Sequence, residues 1–220
     1  MVVDSIYTDE NLRDFNRARA LAQYIRNTKQ PLSVEGLAFL NDVKNSVYKE
    51  AVDELNEATI KEIKEKAAKA DKRIFSASIV EGLEDGKAIL DKIVGQYKGK
   101  IVYLDVWGVG CGGCMTYLQH ASPYIKYQLK DYDIVYLYLA TETNEENWKY
   151  YITEFNLISP NCVHYNLPRK QFYAVENYIG ETGIPAFRLF DKEGNMIKLA
   201  LDHYANMEGF KKQIDELSKK

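Results

Sequence analysis

The sequence predicts an α/β domain, a three-layer sandwich with helices on both faces of a mostly parallel sheet, behind a helical N-terminal region. Three observations support this fold class. The first 72 residues carry apolar side chains at helical spacing. From about residue 73, short apolar runs alternate with helical stretches. A turn at 192–195 then separates two strands of a hairpin, and an amphipathic helix closes the chain. We therefore divide the chain into residues 1–72 and 73–220.

Composition restricts the function classes. The chain has 220 residues, a net charge of −3 and three cysteines, which suggests a reactive pair plus a spare rather than a disulfide scaffold. This charge gives no reason to expect nucleic acid or an anionic membrane as a partner, and no apolar run approaches the length of a transmembrane span. No apolar segment precedes the first basic residue, Arg13, unlike in a secretory signal. We expect a cytoplasmic protein, or an exported one whose leader has been removed.

Two helices are predicted in the N-terminal region. Thr8 is the candidate N-cap of the first and Ser33 of the second. The first helix ends at Gln30, because a residue before proline avoids the α region. The predicted apolar stripes are Leu12, Phe15, Ala18, Ala22 and Ile25 in the first helix, and Leu37, Leu40, Val43, Val47, Ala51 and Leu55 in the second.

The α/β region is predicted to begin with a strand at 74–80. The run Ile101–Trp107 is apolar apart from one acid, which is typical of a strand buried on both faces of a parallel sheet. The further predicted strands are 134–139, 163–165, 186–190 and 196–201, and the predicted helices are 86–99, from the cysteines to about 130, 145–155, 171–179 and 207–217.

Cys111 and Cys114 stand three positions apart at the start of a predicted helix. Free N–H groups and the positive end of the helix dipole favour a thiolate at the first sulfur. The second cysteine lies one turn further, near enough to close a disulfide and expel a bound substrate. Cys111 is therefore the candidate nucleophile and Cys114 the resolving thiol. Two unconnected thiols, or half of a zinc site, are the alternatives; zinc needs four ligands, and only Cys162 and three scattered histidines remain.

Asp105 is an acid inside an otherwise apolar strand, six residues before Cys111. Burial is unfavourable for a carboxylate unless the group is neutral, paired or functional. A buried carboxyl at this strand end would have a raised pKa and could take a proton from Cys114 through water. The alternative is an acid on an edge strand that points to solvent.

Two segments resemble the active-site regions of the thioredoxin superfamily. The stretch Tyr103–Cys114 (YLDVWGVGCGGC) is similar to the active-site segment in Asp105, Trp107 and both cysteines, and Thr182–Phe190 resembles the segment that carries the cis-proline. The extra helix and strand around 145–165 resemble the inserted unit of the TlpA-like branch, bacterial thiol–disulfide proteins that usually face the periplasm. The resemblance covers about residues 74–218 and implies a thioredoxin-like sandwich with this inserted α/β unit.

The resemblance also implies roles for individual residues. Pro185 would be cis and pack against the cysteine pair, and its missing N–H would leave room for a peptide. The backbone of Ile184 would pair with that peptide as an added strand. Trp107 would pack in the core, shield the thiols and contribute to substrate binding. Implied partners are protein disulfides and an upstream thiol reductant, without cofactor or metal, in the periplasm or cell envelope.

Three residues depart from the family pattern. Gly113 stands where the family usually has proline, Gly110 where it has a bulky aromatic residue, and Pro123 lies about one turn later than the helix-kinking proline. These departures leave the partner and the reduction potential open. We expect Cys162 to be a buried small hydrophobe and His120 to be a surface or packing residue.

The favoured activity is dithiol–disulfide exchange on protein substrates as a reductant. Isoleucine precedes Pro185, as in thioredoxin, and no histidine lies between the cysteines. A disulfide oxidase or isomerase, or a redox-inert module that binds peptides beside Pro185, is the alternative. A copper chaperone is disfavoured, because no histidine or methionine is clearly placed beside both thiols.

Overall fold

The computed structural model describes residues 9–69, 78–141, 144–199 and 203–219. The chain divides into two compact units at the boundary between Ala68 and Lys69. Within the described residues, the first unit is helical and the second is an α/β domain around a five-stranded sheet.

The helical unit contains α1 (Glu10–Thr28), α2 (Val34–Asn41) and α3 (Ser46–Lys69). Thr8 lies outside the described residues, and the N-cap of α1 is Asp9, whose carboxylate accepts a hydrogen bond from the Leu12 N–H at 3.0 Å. Ser33 caps α2 as predicted, by accepting from the Gly36 N–H.

The prediction of a single helix after residue 33 is wrong, because residues 42–45 are not helical and separate α2 from α3. The buried carboxylate of Asp14 in α1 accepts hydrogen bonds from the N–H groups of Lys44 and Asn45 at 2.9 and 2.8 Å. The predicted stripes are therefore right only in part: α1 turns Asp14 inward and leaves Leu12 and Phe15 exposed, and beyond the break Val47 is 68% exposed. The observed core is Ala18, Leu21, Ile25, Leu32, Leu40, Val43 and Val52.

The sheet of the α/β domain has the strand order β3-β2-β1-β4-β5. The strands are β1 (Ile101–Trp107), β2 (Ile134–Thr141), β3 (Cys162–Leu167), β4 (Ala186–Phe190) and β5 (Met196–Ile197). Strands β1, β2 and β3 are parallel, whereas β4 and β5 run antiparallel to their neighbours. Every residue of the central strand β1 is buried, as its apolar run predicts.

The helices of this domain alternate with the strands. They are α4 (Gly86–Val94), α5 (Gly112–Thr116), a π-helical turn (Tyr117–Ala121), α6 (Ser122–Gln128), α7 (Glu145–Glu154), α8 (Arg169–Ile179) and α9 (Met207–Ser218). Two strand predictions need correction. Residues 78–80 form a 3-10 turn rather than a strand, with 74–77 outside the described residues, and the last strand ends at Ile197, with 200–201 outside them.

The two faces of the sheet differ in chemistry, because alternate residues of a strand point to opposite sides. One face is aliphatic: Val102, Leu104 and Val106 of β1 pack in a cluster with residues of α4 and α8. On the other face, Tyr103 and Asp105 pair in register with Tyr136 and Tyr138. We call this second side the aromatic face; its members are Tyr103, Asp105, Trp107, Tyr136, Tyr138, His164 and Phe187.

The segment 112–128 and helix α9 contribute the side chains that pack on the aromatic face. Tyr117 from the π-helical turn lies with its ring centroid 4.4 Å from that of Phe187. Phe210 from α9 contacts Tyr103, at 5.9 Å between ring centroids. The helical segment that begins at the cysteines thus packs on the aromatic face of the sheet.

Candidate functional site

The two cysteines lie where β1 gives way to the helical segment 112–128. They form a disulfide, with 5.2 Å between their Cα atoms. Cys111 is the N-cap of α5, and its sulfur accepts a hydrogen bond from the Cys114 N–H at 3.1 Å. Cys111 is partly exposed, whereas Cys114 is 0% exposed. Cys111 is therefore the more accessible residue of the pair.

Two glycines of the loop before Cys111 have conformational or packing reasons to be there. Gly110 has φ +91°, a left-handed conformation that disfavours any side chain. A Cβ at Gly108 would lie 2.8 Å from Cδ1 of Ile184, so any larger residue here requires the end of the Ile184 side chain to move.

The loop that carries Pro185 packs against the cysteine pair. The Ile184–Pro185 peptide bond is cis, the geometry that the resemblance implies. Cδ of Pro185 would lie 3.4 Å from a Cβ built on Gly113, between the two cysteines. The Cys111 sulfur is 3.6 Å from the carbonyl oxygen of Ile184. In the disulfide this sulfur has no hydrogen to donate, but a free thiol at the same place can donate to that carbonyl.

Asp105 is buried within the aromatic face, at 1% exposure. Among the described residues, neither of its carboxyl oxygens has a hydrogen-bond partner. Burial raises the pKa of Asp105 well above its ordinary value, and the positive charge of Lys126 counteracts this only in part. The site thus contains a carboxyl group that favours its neutral form. The edge-strand alternative is wrong, because Asp105 lies in the central strand.

Trp107 lies at the end of β1 and is completely buried. Its indole N–H has no hydrogen-bond partner among the described residues. This burial gives Trp107 a packing position in the core, and the substrate-binding role that the resemblance implies stays a prediction.

Three buried residues near the site form a hydrogen-bonded group that the sequence analysis missed. The Tyr103 hydroxyl lies 2.5 Å from the Tyr117 hydroxyl and 2.7 Å from Nε2 of His203. Burial raises the pKa of both tyrosines well above the ordinary value. One signal for this group was available in the sequence: along β1, the polar residues Tyr103 and Asp105 alternate with aliphatic residues, so both side chains lie on the same face of the sheet. Nothing comparable pointed to His203.

The remaining candidates lie outside the site. Cys162 is a buried free thiol that accepts a hydrogen bond from the Ser159 hydroxyl, as expected of a packing residue. His120 is exposed in the π-helical turn. Pro123 lies in the first turn of α6, directly after that turn. Within the described ranges, no cluster of histidine, cysteine and acidic side chains is arranged to hold a metal ion.

A sandwich of this topology, with a cysteine pair at a helix start packed against a cis-proline loop, is thioredoxin-like. Residues 99–196 match the family model described as thioredoxin-like. This segment runs from just before β1 into β5 and includes both cysteines and Pro185. The comparison with curated proteins gives no match. In the described parts of the chain, no helix has the length and apolar character to cross a membrane.

Three similar solved structures illustrate the likeness. The thioredoxin domain of a thiol-disulfide oxidoreductase from Bacteroides vulgatus is 28% identical, with a TM-score of 0.41, over 53% of this chain and 83% of that one. A thiol:disulfide interchange protein from a Bacteroides species is 28% identical, with a TM-score of 0.42, over 53% and 76%. A thioredoxin family thiol:disulfide interchange protein from Chlorobium tepidum is 19% identical, with a TM-score of 0.42, over 57% and 82%.

Proposed function

We propose that the chain is a thiol–disulfide oxidoreductase that exchanges the Cys111–Cys114 dithiol and disulfide with protein substrates, acting as a reductant. One observation carries the proposal: the disulfide spans the first turn of a helix, with Cys111 partly exposed and Cys114 fully buried. This asymmetry supports different roles for the two cysteines, with the more accessible Cys111 as the nucleophile.

The first step is attack by Cys111. Its thiolate forms a bond to one sulfur of the substrate disulfide, the substrate S–S bond breaks, and the second substrate sulfur leaves as a thiolate. The Cys114 N–H, which lies 3.1 Å from the Cys111 sulfur, stabilises the attacking thiolate. The product is a mixed disulfide between Cys111 and the substrate.

The second step is resolution by Cys114. Its thiol loses a proton through water to Asp105, which must be ionised for this step, and the resulting thiolate attacks the Cys111 sulfur. The mixed disulfide breaks, the remaining substrate thiolate leaves, and the internal disulfide forms again. The substrate gains two electrons and the protein loses two. The raised pKa of Asp105 makes its carboxylate a stronger base than an ordinary one.

Substrate binding is proposed at the 182–186 loop. The Ile184 carbonyl lies beside the Cys111 sulfur, so an extended peptide that pairs with the Ile184 backbone would place its own cysteine at the nucleophile. No charged side chain occurs from Trp107 to Gln119. Recognition through backbone atoms rather than ion pairs suits a protein that acts on varied protein disulfides.

The reductant role requires an upstream thiol donor that reduces the Cys111–Cys114 disulfide after each turnover. We place the protein in the bacterial periplasm or cell envelope, where its TlpA-like relatives usually act. Trapping of the thiols with a maleimide polyethylene glycol in separated cell fractions tests both statements. A predominantly reduced pair in the envelope fraction, oxidised after loss of thiol donors, is expected; a pair found only in the cytoplasm contradicts the location.

The equilibrium potential of the pair in glutathione and thioredoxin buffers tests the direction. A value near about −270 mV, as for thioredoxin, is expected of a reductant, and one near about −120 mV would indicate an oxidase. A thiol titration before and after mild reduction separates both from a redox-inert binding module, whose cysteine pair would not cycle.

A further inference from the structure

The Tyr103 hydroxyl joins three parts of the α/β domain. Tyr103 belongs to β1, Tyr117 to the π-helical turn after the active-site cysteines, and His203 to the segment before α9. All three side chains are buried, and the distances from the Tyr103 oxygen to its two partners are 2.5 and 2.7 Å. Two contacts of this length at one buried oxygen make a specific, directional group.

The number of protons in this group determines how its hydrogen bonds can run. The Tyr103 hydroxyl has one proton, so it donates to one neighbour and accepts from the other. If Tyr117 donates to Tyr103, Tyr103 donates to Nε2 of a neutral His203; in the opposite direction, His203 donates to Tyr103 and Tyr103 to Tyr117. In both cases the loss of the Tyr103 hydroxyl breaks both bonds and leaves two buried polar groups without this partner.

Tyr117 links this group to the resolving cysteine. It follows Cys114 by three residues in the helical segment, so the two side chains lie on the same side of the helix, and both are buried. While the disulfide is closed, the covalent bond to Cys111 holds Cys114 in place. Once the mixed disulfide forms, that bond is gone, and the Tyr117–Tyr103 hydrogen bond still ties this turn to the central strand.

We propose that Tyr103 is a positioning residue for the resolving step: with His203, and through Tyr117, it holds Cys114 within reach of the mixed disulfide. This inference rests on the proposed function and deepens it. Attack by Cys111 depends on its partial exposure and on the N–H groups at the helix start, which the hydroxyl group of Tyr103 does not touch. Its loss should therefore slow release and leave attack unchanged.

Tyr136 provides a matched control. It pairs in register with Tyr103 on the aromatic face, and its ring centroid lies 6.0 Å from that of Tyr103. Its hydroxyl is buried and has no hydrogen-bond partner among the described residues. Tyr136→Phe thus removes the same atom from the same face without breaking a hydrogen bond.

The experiment is a stopped-flow reduction of a model protein disulfide, with attack and release resolved as separate phases. Tyr103→Phe and Tyr117→Phe should slow release by about tenfold or more, because a displaced reacting group loses rate steeply. Tyr117→Phe leaves the Tyr103–His203 bond in place, and it carries the test if Tyr103→Phe does not fold. Tyr136→Phe should keep both phases.

The outcomes separate the two proposals. If wild-type protein shows no attack phase, the proposed function fails. If wild type completes both phases, and the two variants of the hydroxyl chain release substrate as fast as Tyr136→Phe does, only this inference fails. Equal slowing of attack and release in those variants also overturns it, because a general loss of structure would act on both steps.

Discussion

Replacing Asp105 by asparagine tests the buried carboxyl, because the change keeps its shape and removes its titration. Folding raises the pKa of Asp105 above the ordinary value of about 3.9. The folded protein therefore binds this proton more tightly than the unfolded chain does. The contribution of Asp105 to stability is therefore full below about pH 3.9 and falls as the pH rises from there through the pKa of the folded state. Above that pKa the loss is complete.

The magnitude follows from linkage. The loss amounts to about 1.4 kcal/mol for each unit by which burial raises the pKa of Asp105. Asp105→Asn removes this pH-dependent loss. The absolute stability also changes through the buried amide, which costs about 1–3 kcal/mol if it is unsatisfied. The discriminating quantity is therefore how the difference between variant and wild type changes with pH.

The assay is urea unfolding of the disulfide form at several pH values between 4 and 8. Both tryptophans, Trp107 and Trp148, lie in the α/β domain, so their fluorescence follows this domain alone. We expect Asp105→Asn to gain stability relative to wild type as the pH rises. Asp131→Asn, at an exposed acid, serves as the control and should show no such trend. A constant difference between Asp105→Asn and wild type would refute the buried, titrating carboxyl.

The same variant has a kinetic consequence. Because asparagine cannot accept the Cys114 proton, Asp105→Asn should slow release by about 10²-fold or more near neutral pH and leave attack by Cys111 nearly unchanged. Wild-type rates in both phases would show that Asp105 has a structural role and that the proposed proton transfer is wrong.

Three further predictions concern the cysteine pair and its glycines. Cys114→Ser should accumulate mixed disulfides that a reductant dissolves, seen as mass adducts, whereas equal trapping by Cys111→Ser would reverse the assignment of the nucleophile. Gly113→Pro should fold, because the first helical turn needs no N–H there, and should shift the reduction potential measured in glutathione buffers. An unchanged potential would show that the two residues between the cysteines do not set the reduction potential. Gly108→Ala should lose about 1 kcal/mol in urea unfolding, because its Cβ would lie 2.8 Å from Cδ1 of Ile184 and that side-chain end must move, whereas Gly95→Ala, with open space around its Cβ, should not.

The sequence predicts the central sheet well, because strand β1 is an apolar run that is buried along its whole length. An apolar run from Ile101 to Trp107 with a cysteine pair just beyond it locates the buried strand and the helix start together. Local patterns were less informative for the helical unit. The break at 42–45 depends on the carboxylate of Asp14, some thirty residues earlier, and no helical periodicity shows such a contact.

The candidate site could be predicted only in part, because only some of its residues stand out in the local sequence. Asp105 could be identified because a single acid within an apolar strand is conspicuous in the sequence. The Tyr103–Tyr117–His203 group could not, because its members lie up to 100 positions apart and meet only when the segment before α9 returns to β1. Trp107 has the buried core position that motif similarity suggested, and its part in substrate binding stays a prediction.

The difference between the two faces of the sheet also determines which substitutions this domain can accept, whether they are engineered or arise in evolution. On the aliphatic side, Leu104 and its neighbours pack through apolar contacts alone, so sets of apolar side chains with a similar total volume can replace one another. On the aromatic side, the two phenols and the imidazole of the Tyr103–Tyr117–His203 group must change together, because each of their hydrogen bonds needs both of its members. Libraries aimed at greater heat resistance should therefore randomise the side facing α4 and α8, and those aimed at a new reaction should vary the opposite side in linked sets.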